Sequence, residues 1–182
     1  MSNPQSEHLL VATYSSHADA ADALRVVRTC GFDMKKWSIL GKDVLADERA
    51  FGFYSAGEHM KFWAGDGAIW RDVWGMLHGG GFFFIPPVGP LVVMGPFLEC
   101  VVDALETAPT GDQARVPAVA LARIGVASHD VESCELEVRA GSFLVLAQGS
   151  AVLVESARVV LDATRATHLR LTTGATRIAL GA

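Results

Sequence analysis

Residues 73–98, VWGMLHGGGFFFIPPVGPLVVMGPFL, form twenty-six residues without a formal charge when His78 is neutral. A run of that length is long enough to cross a bilayer once. It is also broken in the middle by Pro86-Pro87 and carries six glycines. Any fold for this chain has to cover that surface, with a membrane, with a protein core, or with further copies of the chain.

The rest of the composition narrows the choice. The chain has 182 residues, 51% hydrophobic and 19% charged, which suits one domain or two small ones and excludes disorder for most of its length. Its net charge of −5 argues against nucleic acid as a partner, because phosphate binding needs a clustered positive surface. Cys30, Cys100 and Cys134 are far apart and form neither a CxxC pair nor a zinc site. The start, MSNPQSEHLL, lacks a basic region and a long apolar region, so no secretory signal is expected. The expected location is cytoplasmic, with the inner face of the membrane left open.

Two segments flanking the apolar run resemble each other. At a constant offset of 133, Arg25-Val26-Val27 falls on Arg158-Val159-Val160, and Leu10 to Thr13 falls on Phe143 to Leu146. Each segment reads as an apolar strand, a turn, an amphipathic helix and a second strand. In the first, Ser16 is placed to cap the helix, Ala20, Leu24 and Val27 share one face, and Gly31 ends it. In the second, Ser150 or a residue near it starts the helix and Thr167 follows its end. Residues 49–55 (RAFGFYS) and 133–139 (SCELEVR) read as further strands, the latter because Cys134, Leu136 and Val138 alternate with polar residues.

The expected fold is therefore α+β, a ferredoxin-like sheet built from two β-α-β repeats. Residues 8–56 and 127–174 supply its halves, and residues 57–126 are an apolar helical hairpin inserted between them. Within the insertion Ile69, Trp70, Val73, Trp74 and Leu77 share a helical stripe. Gly75 and Gly79 make one GxxxG, a spacing that lets backbones approach closely. Gly79-Gly80-Gly81 ends that helix, Pro86-Pro87 and Gly89-Pro90 form the tip, and Pro96 opens a second helix carrying Phe97, Leu98, Val101, Val102 and Leu105 on one side. Val73 to Ile85 would reach only about 20 Å as a helix, against about 30 Å of hydrocarbon, so neither arm spans a bilayer alone. A short helix is expected from Val116 to Ile124.

The stretches VATYSSHADAADALRVVRTCGFDMKKWSILGKD and GFYSAGEHMKFWAGDGAIWRDVWGMLHGGGFFFIPPVGPLVVMGPF resemble the bacterial general-stress and heat-induced stress proteins of the YflT type. The resemblance covers Leu9 to Leu105, and SHDVESCELEVRAGSFLVLAQGS more loosely. It implies a membrane or stress protein without established catalytic residues. The chain departs from the family pattern after Cys100, where Asp103, Glu106, Asp112 and Arg115 replace a glycine- and alanine-rich run, which weighs against a second membrane segment.

No chemistry stands out. The histidines at 8, 17, 59, 78, 129 and 168 have no metal spacing, and Glu58-His59 is not HExxH. No cofactor and no catalytic or metal residue is expected. The leading expectation is a non-enzymatic stress-type or scaffold protein that homo-oligomerises and associates with membrane through Trp70, Trp74, Gly75, Gly79, Phe82, Phe83, Phe84, Ile85, Pro86 and Pro87. Two alternatives stand beside it. One is a scaffold subunit that tethers a partner oxidoreductase to the membrane and forms an apolar chamber for lipid or quinone. The other is a small-ligand-sensing domain. The phenylalanine tip is expected to be covered by something outside its own sheet, since three adjacent phenylalanines rarely stay in water.

Overall fold

The computed structural model describes residues 7–42, 73, 75–77, 79–85 and 88–175. The fold is α+β. Its strands are β1 (Glu7–Tyr14), β2 (Trp37–Lys42), β3 (Gly80–Ile85), β4 (Gly89–Met94), β5 (Phe143–Gly149) and β6 (His168–Ala175). Its helices are α1 (His17–Thr29), α2 (Phe97–Thr107), α3 (Val116–Arg123), α4 (Ser128–Arg139) and α5 (Ala151–Asp162). The six strands make one antiparallel-paired sheet in the order β3-β4-β2-β5-β1-β6.

The two repeats interleave in that sheet. β1 and β2 each run antiparallel to β5, which lies between them, and β5 and β6 each run antiparallel to β1, which lies between those two. Each β-α-β unit thus takes a strand of the other into its own gap. Both helices are capped as the serines require. Ser16 Oγ accepts from Asp19 N and Ser150 Oγ accepts from Leu153 N, satisfying amides that the first helical turn leaves open. Gly31 has φ +84°, the left-handed region, and its N–H donates to Arg28 O as the chain leaves α1.

Helices cover both faces, so the strands are apolar nearly throughout. On one face Leu10, Ala12, Tyr14, Trp37, Ile39, Val92, Met94, Phe143, Val145 and Ala147 pack with α1 and α5. Ala20, Leu24 and Val27 come from α1, and Val154, Ala157 and Leu161 from α5. On the other face Leu9, Val11, Leu40, Leu91, Val93, Leu144 and Leu146 pack with α2, α3 and α4. Period-two alternation therefore sorts side chains between two cores instead of between core and water.

Two segments differ from the sequence-based expectation. Residues 133–139, expected as a strand, belong to helix α4. SCELEVR satisfies both periods. Cys134 and Val138 are buried at i and i+4, and Glu135 and Arg139 pair at 2.7 Å along the helix. Leu136 decides between them, because a strand would bury it beside Cys134 and Val138, whereas here it is 61% exposed.

The second difference lies in the apolar insertion, expected as a helical hairpin with a proline-rich tip. Val73, Gly75 and Met76 are helical, but residues 80–94 form the β-hairpin β3–β4, which extends the sheet. Phe82-Phe83-Phe84-Ile85 and Leu91-Val92-Val93 are aromatic and branched residues that suit a pleated surface. Gly79, at φ +74°, stops the helix before them. Among the described strands β3 lies at the edge of the sheet, and Pro86-Pro87 come after its last residue in the sequence. Helix α2 and the short α3 fall where the sequence places them. The expected strand at 49–55 lies outside the described residues.

Candidate functional site

The uncharged hairpin is built from glycine geometry. Gly89, at φ +97°, turns the chain so that Ile85 pairs with Gly89, and Gly95 N donates to Gly79 O at 3.0 Å to close the base. Gly95 itself sits at φ +88° against β2, where a Cβ would overlap the Trp37 carbonyl oxygen and lie 2.8 Å from the Ser38 Cα. Only glycine lets the chain pass there. Two residues on, Phe97 N donates to the buried Ser38 Oγ at 3.0 Å. Pro96, at the start of α2, has no side-chain cap bond of its own, so β2 supplies the cap.

The phenylalanines divide between the two cores. Phe82 is half-buried against the α1/α5 core and Phe83 half-buried against the α2–α4 core. Phe83 lies over Gly81, where an added Cβ would come 3.0 Å from its ring and 3.2 Å from Leu98 Cδ1. Ile85 is buried in the α2–α4 core. Phe84 alone of the four stays in the open, 70% exposed. The chain's own sheet thus covers Ile85 and much of Phe82 and Phe83, contrary to the expectation that an outside surface would cover the whole tip. Burial on two faces is what that expectation omitted. Gly75 and Gly79 are exposed, and a Cβ at Gly75 would meet no atom within 4 Å. Trp70, Trp74, Pro86 and Pro87 lie outside the described residues.

A second constellation, invisible in the sequence, ties α4 to the sheet. Glu137 of α4 accepts from Arg170 Nη2 at 2.6 Å, from Arg170 Nη1 at 3.1 Å and from Thr13 Oγ1 at 2.8 Å. Arg170 Nη1 also donates to Thr13 Oγ1 at 3.0 Å, and its Nε lies 3.4 Å from Asp130 Oδ1. His168 Nε2 is 3.7 Å from Glu137 Oε1. Partial burial pushes the Glu137 carboxyl up. The hydrogen bonds from Arg170 and Thr13 and the charges of Arg170 and His168 outweigh it and hold the carboxyl below its ordinary value. Burial likewise pushes the neighbouring Cys134 thiol up to about 11, against the opposing charge of Arg170. This is an ionic clamp with every partner engaged and an unreactive thiol beside it. The members are separated in sequence by up to 157 residues, so no spacing could have announced them.

Among the described residues no three His, Cys, Asp or Glu side chains are grouped to hold a metal ion, and no helix is long and apolar enough to cross a membrane. Comparisons with family models, with curated proteins and with solved structures find no match to this chain.

Proposed function

We propose that this chain is a non-enzymatic stress-type or scaffold protein that oligomerises and attaches to membrane through the apolar segment around β3–β4. The observation that carries the reading is the contrast within that hairpin. Phe82, Phe83 and Ile85 are gathered into the chain's own cores, while Phe84 stands 70% exposed in a stretch of twenty-six uncharged residues. Within that uncharged stretch, the open Phe84 ring offers an aromatic face to an apolar surface. Gly75 adds an exposed helical backbone position in the same uncharged stretch, with open space where a Cβ would stand. The family resemblance of residues 9–105 points the same way. We also read the strand order β2-β5-β1-β6, with α1 and α5 on one face, as a ferredoxin-like unit whose halves flank the inserted segment; the interleaving of the two repeats supports this.

Phe84→Ser is the discriminating variant, because Phe84 packs little within the chain. Co-sedimentation with phosphatidylglycerol vesicles should fall severalfold, with the circular dichroism spectrum unchanged. Equal vesicle binding by variant and wild type would overturn the membrane part of the reading. Gly75→Leu tests assembly, since the added side chain meets nothing in its own subunit within reach of a Cβ. Its mass by light scattering should drop relative to wild type, and an unchanged mass would remove Gly75 from the contact. Gly79→Leu is a poor test, because φ +74° strains any side chain there.

A further inference from the structure

The two helical layers differ in charge. Residues 97–139, which hold α2, α3 and α4, carry eight acidic and three basic residues, a net of −5. Residues 17–36 and 150–167, which hold α1 and α5, carry five acidic and six basic residues, a net of +1. Two copies meeting through the acidic layer would repel each other. The α1/α5 layer has both signs in near balance, which a surface must have if it is to meet itself across a two-fold axis.

Helix α5 has the matching shape. Its buried residues are Val154, Ala157 and Leu161. At 100° per residue the ridge directly opposite is Val152, Ser156, Val159 and Ala163. All four are exposed, Val152 by 78% and Val159 by 60%. The outermost ridge of a surface helix ordinarily carries its charges, as α2 does with Glu99, Asp103 and Glu106, all exposed. On α5 the charges Glu155, Arg158 and Asp162 are displaced to one flank, leaving an uncharged crest two turns long.

We propose that this crest is a homodimer contact, with α5 of a second copy of this chain lying antiparallel across it. An axis beside Ser156 sets Val152 of one copy on Val159 of the other. The same operation brings the charged flanks together, with Glu155 of each copy within reach of Arg158 of the other. In the single chain that acid and that arginine already pair, Nη2 to Oε1 at 2.6 Å, so dimerisation exchanges partners along the flank and strands no charge. The contact is separate from the β3–β4 hairpin, so each can fail without the other.

The test uses the full chain. Val152→Lys/Val159→Lys should raise the dimer dissociation constant roughly tenfold or more in sedimentation equilibrium, with an unchanged far-ultraviolet spectrum. Glu99→Lys/Glu106→Lys, on the acidic layer, should leave association at least as strong. As a positional check, Ser156→Cys in a Cys30→Ser background should give a covalent dimer with a short bis-maleimide, and Asp103→Cys should not. Unchanged association in the valine variant, or no cross-link through position 156, overturns the proposal. Loss of phosphatidylglycerol vesicle binding at constant mass in the valine variant would also overturn it, by assigning the crest to lipid.

Discussion

Arg170 on the last strand and Glu137 on α4 are joined by hydrogen bonds of 2.6 and 3.1 Å, and with Thr13 they pin a helix to two strands at once. Both charged side chains are mostly covered, Arg170 by 87% and Glu137 by 81% of their surface, from exposures of 13% and 19%. Removing one partner therefore leaves the other charge poorly solvated. Arg170→Met should cost on the order of 2 kcal/mol in urea unfolding. The Glu137→Gln/Arg170→Met double variant should recover part of that loss, and a strictly additive double variant would show that the pair does not couple.

The same clamp sets a pH dependence. The Glu137 carboxyl is held below its ordinary value in the folded chain. Its contribution is therefore full above the ordinary carboxylate value of about 4.3 and is lost as pH falls through the lower folded value. The urea midpoints of wild type and Glu137→Gln should differ at pH 7 and converge below about pH 4. A gap that stays constant to pH 3 would assign the effect to packing.

Glycine at 95 is required twice over, by φ +88° and by the Trp37 carbonyl in the place of a Cβ. Gly95→Ala should destabilise by more than about 2 kcal/mol, because β2 must move. Gly31→Ala, with a similar φ of +84° and open space around it, should cost only about 1 kcal/mol. Thermal unfolding of the two variants separates the steric from the conformational part.

Thiol chemistry should divide the cysteines. Cys30 is exposed, and Cys134 is fully buried with its thiol pushed up to about 11. At pH 8 a thiol-reactive disulfide reagent should label Cys30 within minutes and Cys134 only after denaturant is added. Labelling of Cys134 in the native chain at a comparable rate would mean that α4 opens readily.

Much of the fold was legible where a local signal had a single reading. Ser16, Gly31 and Ser150 cap and end the two repeat helices because hydroxyl caps and left-handed turns have few substitutes. The offset of 133 made the repeat visible and led to the expectation of both units in one sheet with their helices on one face, but the register between their strands leaves no trace in spacing. SCELEVR failed because seven residues satisfy two periods, and only the surroundings of Leu136 decide between them. The hairpin failed for another reason. An aromatic run buried on two faces of a sheet looks, in sequence, like one that has no room in the chain's own core. Of the candidate contact residues, Phe84 stays exposed as a contact would need, and Ile85 is buried in the chain's own core. The clamp of Thr13, Glu137 and Arg170 required the strand order to be known.

The interleaved sheet also governs how the chain can form during synthesis. β3 and β4 are separated by only three residues and can pair as soon as both leave the ribosome. β1 has neighbours only in β5 and β6, and β2 has β4 on one side and β5 on the other. At roughly 5–20 residues per second, the interval between β1 and β5 lasts on the order of ten seconds. Through that interval Leu9, Leu10, Val11 and Ala12, all buried in the finished fold, have no strand beside them. One strand, β5, then joins β1 to the β2-β4-β3 part of the sheet, and β6 completes it on the far side of β1.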